Sequence, residues 1–328
     1  MSVLSINHSD SAPLSMPRGA VAARSEYQPV VHGLAVLLVA WAFLVVCVGG
    51  LVKSSEAGLS IPQPFLVEWH YDWLFVQRLN AEYGHRALVG VMSGLTVMLT
   101  AAVIFKEQRR SVRKLAAWLI VVLFAQAFLG YLTVKYFAHA KTSIPHAVLG
   151  QGFLCLAVAM AAVTSRSWMS DAPAVVSEQK PSLRRLAVYA AVAVGVQLLL
   201  GAALRHDDEG LAMRSGRGFV FVWHLVAHIA GAFTVVYFLF RLLSRVFHNH
   251  REQPEIMWPA KIVMMLLGLQ FLLGPGAAAL KILTLEDYNN PPLERILTAT
   301  VHLGVGALIL SLCVLLALRA FRFTRAAA

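Results

Sequence analysis

Eight long apolar runs constrain this chain more than any other feature. They cover residues 33–53, 84–105, 115–136, 145–164, 184–204, 220–241, 258–280 and 298–318. Crossing a hydrocarbon core of about 30 Å as a helix takes about 20 residues, which each run supplies. In lipid every backbone N–H and C=O needs an internal partner, so continuous runs of this length predict helices rather than a barrel. The expected class is an all-α membrane protein with eight transmembrane helices. Composition agrees, with 58% hydrophobic and 14% charged residues; a soluble domain carries about 25% charged residues. The first run is too long, and lacks a clear small-residue cleavage site, for a removed signal peptide.

The net charge of +11 is explained by its distribution. Arg18 and Arg24, the cluster from Lys106 to Lys114, the group Arg166, Lys180, Arg184 and Arg185, then Arg241, Arg245 and Arg251, and the terminal Arg319, Arg322 and Arg325 fall on one side. The acids Glu56, Glu68, Asp72, Glu82, Asp207, Asp208, Glu209, Glu286, Asp287 and Glu294 fall on the other. The positive-inside bias makes the basic side cytoplasmic, with both termini on it. No basic helix interleaved with aromatics points to nucleic acid. Cys47, Cys155 and Cys313 all lie inside apolar runs and read as packing residues rather than a disulfide framework. The first outer loop carries Trp69, Tyr71, Trp73 and Phe75, most of them expected at the membrane interface.

The chain also repeats itself. The stretch from Gly49 to Leu59 aligns without a gap on Gly201 to Leu211, and Gln126 to Gly130 resembles Gln197 to Gly201 and Gln270 to Gly274. Two four-helix bundles of the same orientation follow, related by a pseudo-twofold axis along the membrane normal. The expected domains are a disordered cytoplasmic tail (1–32), an N-terminal bundle (33–164), a cytoplasmic linker (165–183), a C-terminal bundle (184–318) and a cytoplasmic tail (319–328). Pro275 between Gly274 and Gly276 is the strongest candidate for a broken helix.

Of the 12 histidines, those in the spans are His85, His146, His224, His228 and His302. All lie in even-numbered spans toward the outer end. In an up-down bundle helices 2 and 4 face each other diagonally. His85 can then meet His146, and His228 can meet His302, at one depth between apolar walls. Such pairs suit bis-axial ligation of a haem iron. A lone membrane histidine is more often a packing residue; four at repeat-equivalent positions are a pattern. His224, one turn from His228, is an alternative ligand. Gly150 and Gly306, four residues beyond His146 and His302, are expected to leave room for a flat macrocycle. Nothing near either pair supplies the three or four close ligands of zinc. Lys53 and Arg205 occupy equivalent outer ends, as propionate partners or as membrane anchors.

Gly49-Gly50-Leu51-Val52-Lys53, Gly58-Leu59-Ser60, Glu82-x-x-His85-Arg86 and the later His146, His228 and His302 together resemble the haem A synthase family. The resemblance covers essentially all eight spans. It implies haem b between His228 and His302, and haem O as substrate, with haem A as product, between His85 and His146. It implies oxidation of the C8 methyl of haem O to a formyl group, which makes the chain a membrane oxidoreductase with Glu82 as its functional acid. Unlike many bacterial members, residues 54–83 carry no cysteine pair, and Ile229 rather than arginine follows His228, which marks a divergent branch. Alternative readings are a dihaem b-type membrane electron carrier without porphyrin chemistry and, behind it, a transporter. For Glu82 the alternative to catalysis is an ion pair with Arg86. Expected partners are the lipid bilayer, a haem O synthase as donor and an electron acceptor; a homo-oligomer is compatible with the pattern. The short N-terminal segment lacks an amphipathic Arg-rich helix, which favours a bacterial plasma membrane over a mitochondrial inner membrane.

Overall fold

The computed structural model describes residues 26–55, 73–136, 140–170, 174–177, 179–206, 218–284 and 291–326. Eight long helices carry the fold: α1 (Pro29–Ser54), α2 (Trp73–Lys106), α3 (Arg110–Lys135), α4 (Ala140–Thr164), α5 (Leu183–His206), α6 (Gly218–Asn249), α7 (Pro254–Leu283) and α8 (Leu293–Phe323). Each is long and apolar enough to cross a membrane. The all-α multi-pass architecture expected from the apolar runs is therefore the one observed. Helices α1 and α7 open on a proline, whose missing N–H costs nothing in a first turn. Lys53, Lys106, Lys135 and Arg205 sit in last turns, where the helix dipole favours a cation.

The helices outrun the apolar sequence. Helix α2 has 34 residues, about 51 Å at 1.5 Å per residue, against about 30 Å of hydrocarbon. Helical hydrogen bonding continues past the last apolar residue into water, where hydropathy gives no signal. Helix α7 passes through Pro275 without interruption, so the candidate position for a broken helix is continuous. The aromatics Trp69 and Tyr71, and the repeat arms at 56–59 and 207–211, lie outside the described residues.

Each half closes in the same order. Helix α1 packs on α2, α2 on α3, α3 on α4 and α4 back on α1; α5, α6, α7 and α8 repeat the ring. Helices α2 and α4, and α6 and α8, thus stand across the diagonals. The halves meet where α1 and α4 pack on α8 and α4 packs on α5. Small residues permit this approach: a Cβ at Gly50 would stand 2.6 Å from Leu303 Cδ2, and one at Gly304 3.2 Å from Cys47 Sγ. Met264 and Met265 are exposed on the outside of the bundle, as lipid-facing residues are.

Two apolar cores fill the halves. One includes Leu38, Leu99, Leu119, Phe153 and Met160; the other includes Leu186, Leu239, Leu242, Ile256 and Leu316. Most of these positions lie between mid-membrane and the basic end. Toward the opposite end, at the level of His85, His146, His228 and His302, burial is only partial.

The basic end is tied by arginines. Glu107, almost fully buried, accepts hydrogen bonds from Arg109, whose Nη1 also reaches Val163 O at 2.8 Å. Burial alone would push the Glu107 carboxyl up. The hydrogen bonds and charge of Arg109 outweigh it and hold that group below the usual carboxylate range. The linker contains a helical turn, Arg166–Met169, and a strand β1 (Val175–Ser177). Strand β1 pairs in parallel with β2 (Thr324–Ala326), with Val175 opposite Thr324. Arg322 donates to Trp168 O and Ser170 O, and Arg245 donates to Pro181 O.

Candidate functional site

The four span histidines occupy four corresponding seats. In each, the ring edge of a histidine on an even-numbered helix rests on a glycine of the helix before it. A Cβ at Gly49 would stand 3.0 Å from His85 Cε1, one at Gly130 3.2 Å from His146 Cε1, one at Gly201 3.0 Å from His228 Cε1 and one at Gly274 3.4 Å from His302 Cε1. A side chain at Gly49, Gly130 or Gly201 would crowd the ring, so these three glycines help to set the direction in which the imidazole points; at Gly274 the distance is that of ordinary contact.

Three seats have a second element. Gln126 Nε2 donates to His146 O at 2.9 Å, Gln197 Nε2 to His228 O at 2.9 Å, and Gln270 Nε2 to His302 O at 3.2 Å. Each glutamine lies one turn before the seating glycine, so both reach the same histidine. A Cβ at Gly150 would stand 3.1 Å from Gln126 Nε2, so that glycine makes room for the glutamine; at Gly306 the close neighbour is Leu198 Cδ2 at 3.1 Å, with Gln270 Nε2 at an ordinary contact distance of 3.5 Å. In the first seat Val45 takes the glutamine position, and Trp41 Nε1 donates to Leu88 O at 2.9 Å instead.

The seats face each other across the diagonals. The rings of His228 and His302 have centroids 6.3 Å apart at 73°. His85 lies within electrostatic reach of His146. A metal–imidazole bond of about 2.0–2.1 Å, plus a ring radius of about 1.1 Å on each side, separates two collinear axial imidazoles by about 6.3 Å. The centroid spacing of the C-terminal pair matches that separation. His228, not His224, is the residue whose ring meets His302. Among the described residues no three or more His, Cys, Asp or Glu side chains converge as a metal held by side chains alone requires. The donor sets present are histidine pairs, which suit a metal whose other ligands come from a macrocycle.

Glu82 is 5% exposed, one turn outward of His85 on α2. Its Oε1 accepts from Arg86 Nη2 at 2.5 Å, so the ion pair expected from their spacing is present. The corresponding place on α6 holds Leu225. The site is thus asymmetric: both halves hold a histidine pair, and the N-terminal half adds a carboxylate.

His206 ends α5, in a group with Lys53, Arg205, Lys281 and His146 at the junction of the halves. Arg205 spans that junction, donating to Gly50 O at 2.5 Å and to Ser54 Oγ. The Gln-x-x-x-Gly elements were visible in the sequence as marks of the repeat. Their contact with the histidines needed the pairing of odd with even helices.

A family model described as cytochrome oxidase assembly protein, COX15-CtaA, matches residues 75–274. That range takes in Glu82, His85, His146 and His228. No curated protein matches the chain.

Proposed function

Because the chain belongs to the COX15-CtaA family of cytochrome oxidase assembly proteins, we propose that it makes haem A by oxidising the C8 methyl of haem O to a formyl group. In this reading His85 and His146 hold the substrate haem, and His228 and His302 hold a haem b that relays electrons to an acceptor outside the chain. The net change adds one water oxygen to the methyl carbon and releases four electrons and four protons. The bound haem supplies the one-electron chemistry.

The chain's own residues supply position and charge. Glycine seats aim the four imidazoles across the two bundles. The cores below them close the inner ends to water. Glu82 stands one turn from His85, where its carboxylate can take a proton from the attacking water and offset positive charge at the reacting carbon. Arg86 holds that carboxylate in place. The observation carrying the reading is the asymmetry between two otherwise matching sites: a carboxylate beside the N-terminal pair and Leu225 in its place beside the C-terminal pair.

A dihaem b electron carrier accounts for the histidine pairs but leaves Glu82 without a task. Extraction of the bound haem from purified protein, identified by mass, separates the two. The synthase gives haem B together with haem O or haem A. Haem B alone in both halves would establish the carrier, and protein that binds no haem would overturn both readings.

A further inference from the structure

The arginines at the basic end fall into two groups. Arg109, Arg113, Arg184, Arg319 and Arg322 donate to backbone carbonyls of other segments. Arg241 on α6 makes no hydrogen bond or ion pair among the described residues; its guanidinium lies 6.0 Å from the centre of the Tyr237 ring. Arg245, one turn further along, is within electrostatic reach of Arg241 and also has no carboxylate partner among the described residues. Like charges four residues apart on a helix repel. The negative end of the helix favours each cation but leaves that repulsion in place. The two arginines, Ser244, His248, Asn249 and Phe240 line a shallow hollow of about 220 Å³. Arg245 Nη1 donates to Pro181 O at 3.0 Å and lies 3.4 Å from Gln179 O, which brings the backbone of Lys180 to the same rim. Phe233, Tyr237 and Phe240 are exposed on the outside of α6. Phe233, Tyr237 and Arg241 recur every four residues, so an aromatic row on one face leads to the cationic hollow.

We propose that this end of α6 binds one anionic phospholipid, its phosphate between Arg241 and Arg245 and an acyl chain along Phe233 and Tyr237. A phosphate diester offers charged oxygens to both guanidiniums, and basic hollows on the cytoplasmic side of membrane spans recognise such headgroups. Its charge would offset the repulsion between the two arginines and steady the contact of Arg245 with the linker that joins the bundles. Inorganic phosphate would meet the same cations but leave the aromatic row without a role; a phospholipid is the anion that reaches both. Arg241 lies about 20 Å along α6 from His228, at 1.5 Å per residue. The site is therefore at the other membrane face from the histidine pairs and independent of what they hold.

The test uses purified full-length protein in nanodiscs of phosphatidylcholine with graded phosphatidylglycerol, read by native mass spectrometry of retained lipid and by the thermal midpoint. Wild type should retain one phosphatidylglycerol and unfold at a higher temperature when that lipid is present. Arg241→Gln should weaken retention by about 5-fold, the contribution of one cation near a membrane surface. Its midpoint in pure phosphatidylcholine should not fall, because Arg241 ties no other segment. Arg110→Gln removes an exposed cation at the same membrane face and should leave retention unchanged. Equal loss in the two variants would reduce the effect to general surface charge and overturn the proposal. Equal retention of phosphatidylglycerol and phosphatidylcholine by wild type would also overturn it. Inorganic phosphate that raises the midpoint in pure phosphatidylcholine as far as phosphatidylglycerol does would make this a soluble-anion site and overturn the lipid assignment. If Arg241→Gln does not fold, the wild-type comparison of the two lipids and phosphate decides alone.

Discussion

Replacing each partner of the Glu82–Arg86 pair should give opposite rankings in stability and in product formation. The Glu82 side chain is 6% exposed and that of Arg86 30%. With about 4 Å between charge centres and an effective dielectric of about 20, their gross attraction is about 4 kcal/mol. Arg86→Met leaves the buried carboxylate without its cation. Breaking a fully buried pair this way costs about 3–5 kcal/mol, and the partial exposure of Arg86 lowers that to about 2–3 kcal/mol. Glu82→Gln leaves a guanidinium that already reaches solvent, at about 1 kcal/mol. Thermal midpoints in detergent should therefore fall further for Arg86→Met. Conversion of haem O to haem A, read by mass after expression with a haem O source, should show the reverse. Glu82→Gln removes the proton acceptor and loses about 10²–10⁴-fold, while Arg86→Met retains the carboxylate and loses less. Equal loss of conversion in the two variants would reduce Glu82 to an ion-pair partner and refute its catalytic assignment.

Other perturbations read different parts of the structure. Gly201→Ala places a methyl 3.0 Å from His228 Cε1 and should cost about 1–3 kcal/mol of local packing; haem quantification should show haem b depleted and the N-terminal site kept, with Gly49→Ala giving the converse. Glu107 has a carboxyl held below its ordinary value of 4.5, so its folded-state contribution is present above about pH 4.5 and is lost as pH falls through the lower folded-state value; denaturation midpoints against pH should lose that slope in Glu107→Gln. Arg205→Met removes donors to Gly50 O, Ser54 Oγ and Ala299 O and should lower the thermal midpoint by an amount equivalent to about 1–3 kcal/mol, with the ratio of the two haems unchanged.

The lipid solvent explains why so much of the fold was legible in the sequence. A segment in hydrocarbon must satisfy its backbone internally and show apolar side chains outward, so eight helices could be read from eight runs. Helix ends were less legible, because α2 and α8 continue as regular helices beyond the apolar residues that marked them. The Glu82–Arg86 pair was readable because i and i+4 neighbours meet on any helix.

The sequence by itself determined the helices, the four histidine positions and the residue types around them. Only the tertiary structure decided that the His228 ring rather than that of His224 meets His302, that Gly150 accommodates the Gln126 amide, and that Val45 leaves the His85 seat without a glutamine. The physical reason is that these contacts join residues on different helices. Periodicity fixes the face of one helix, whereas which two faces meet, and at what depth, depends on packing the whole bundle.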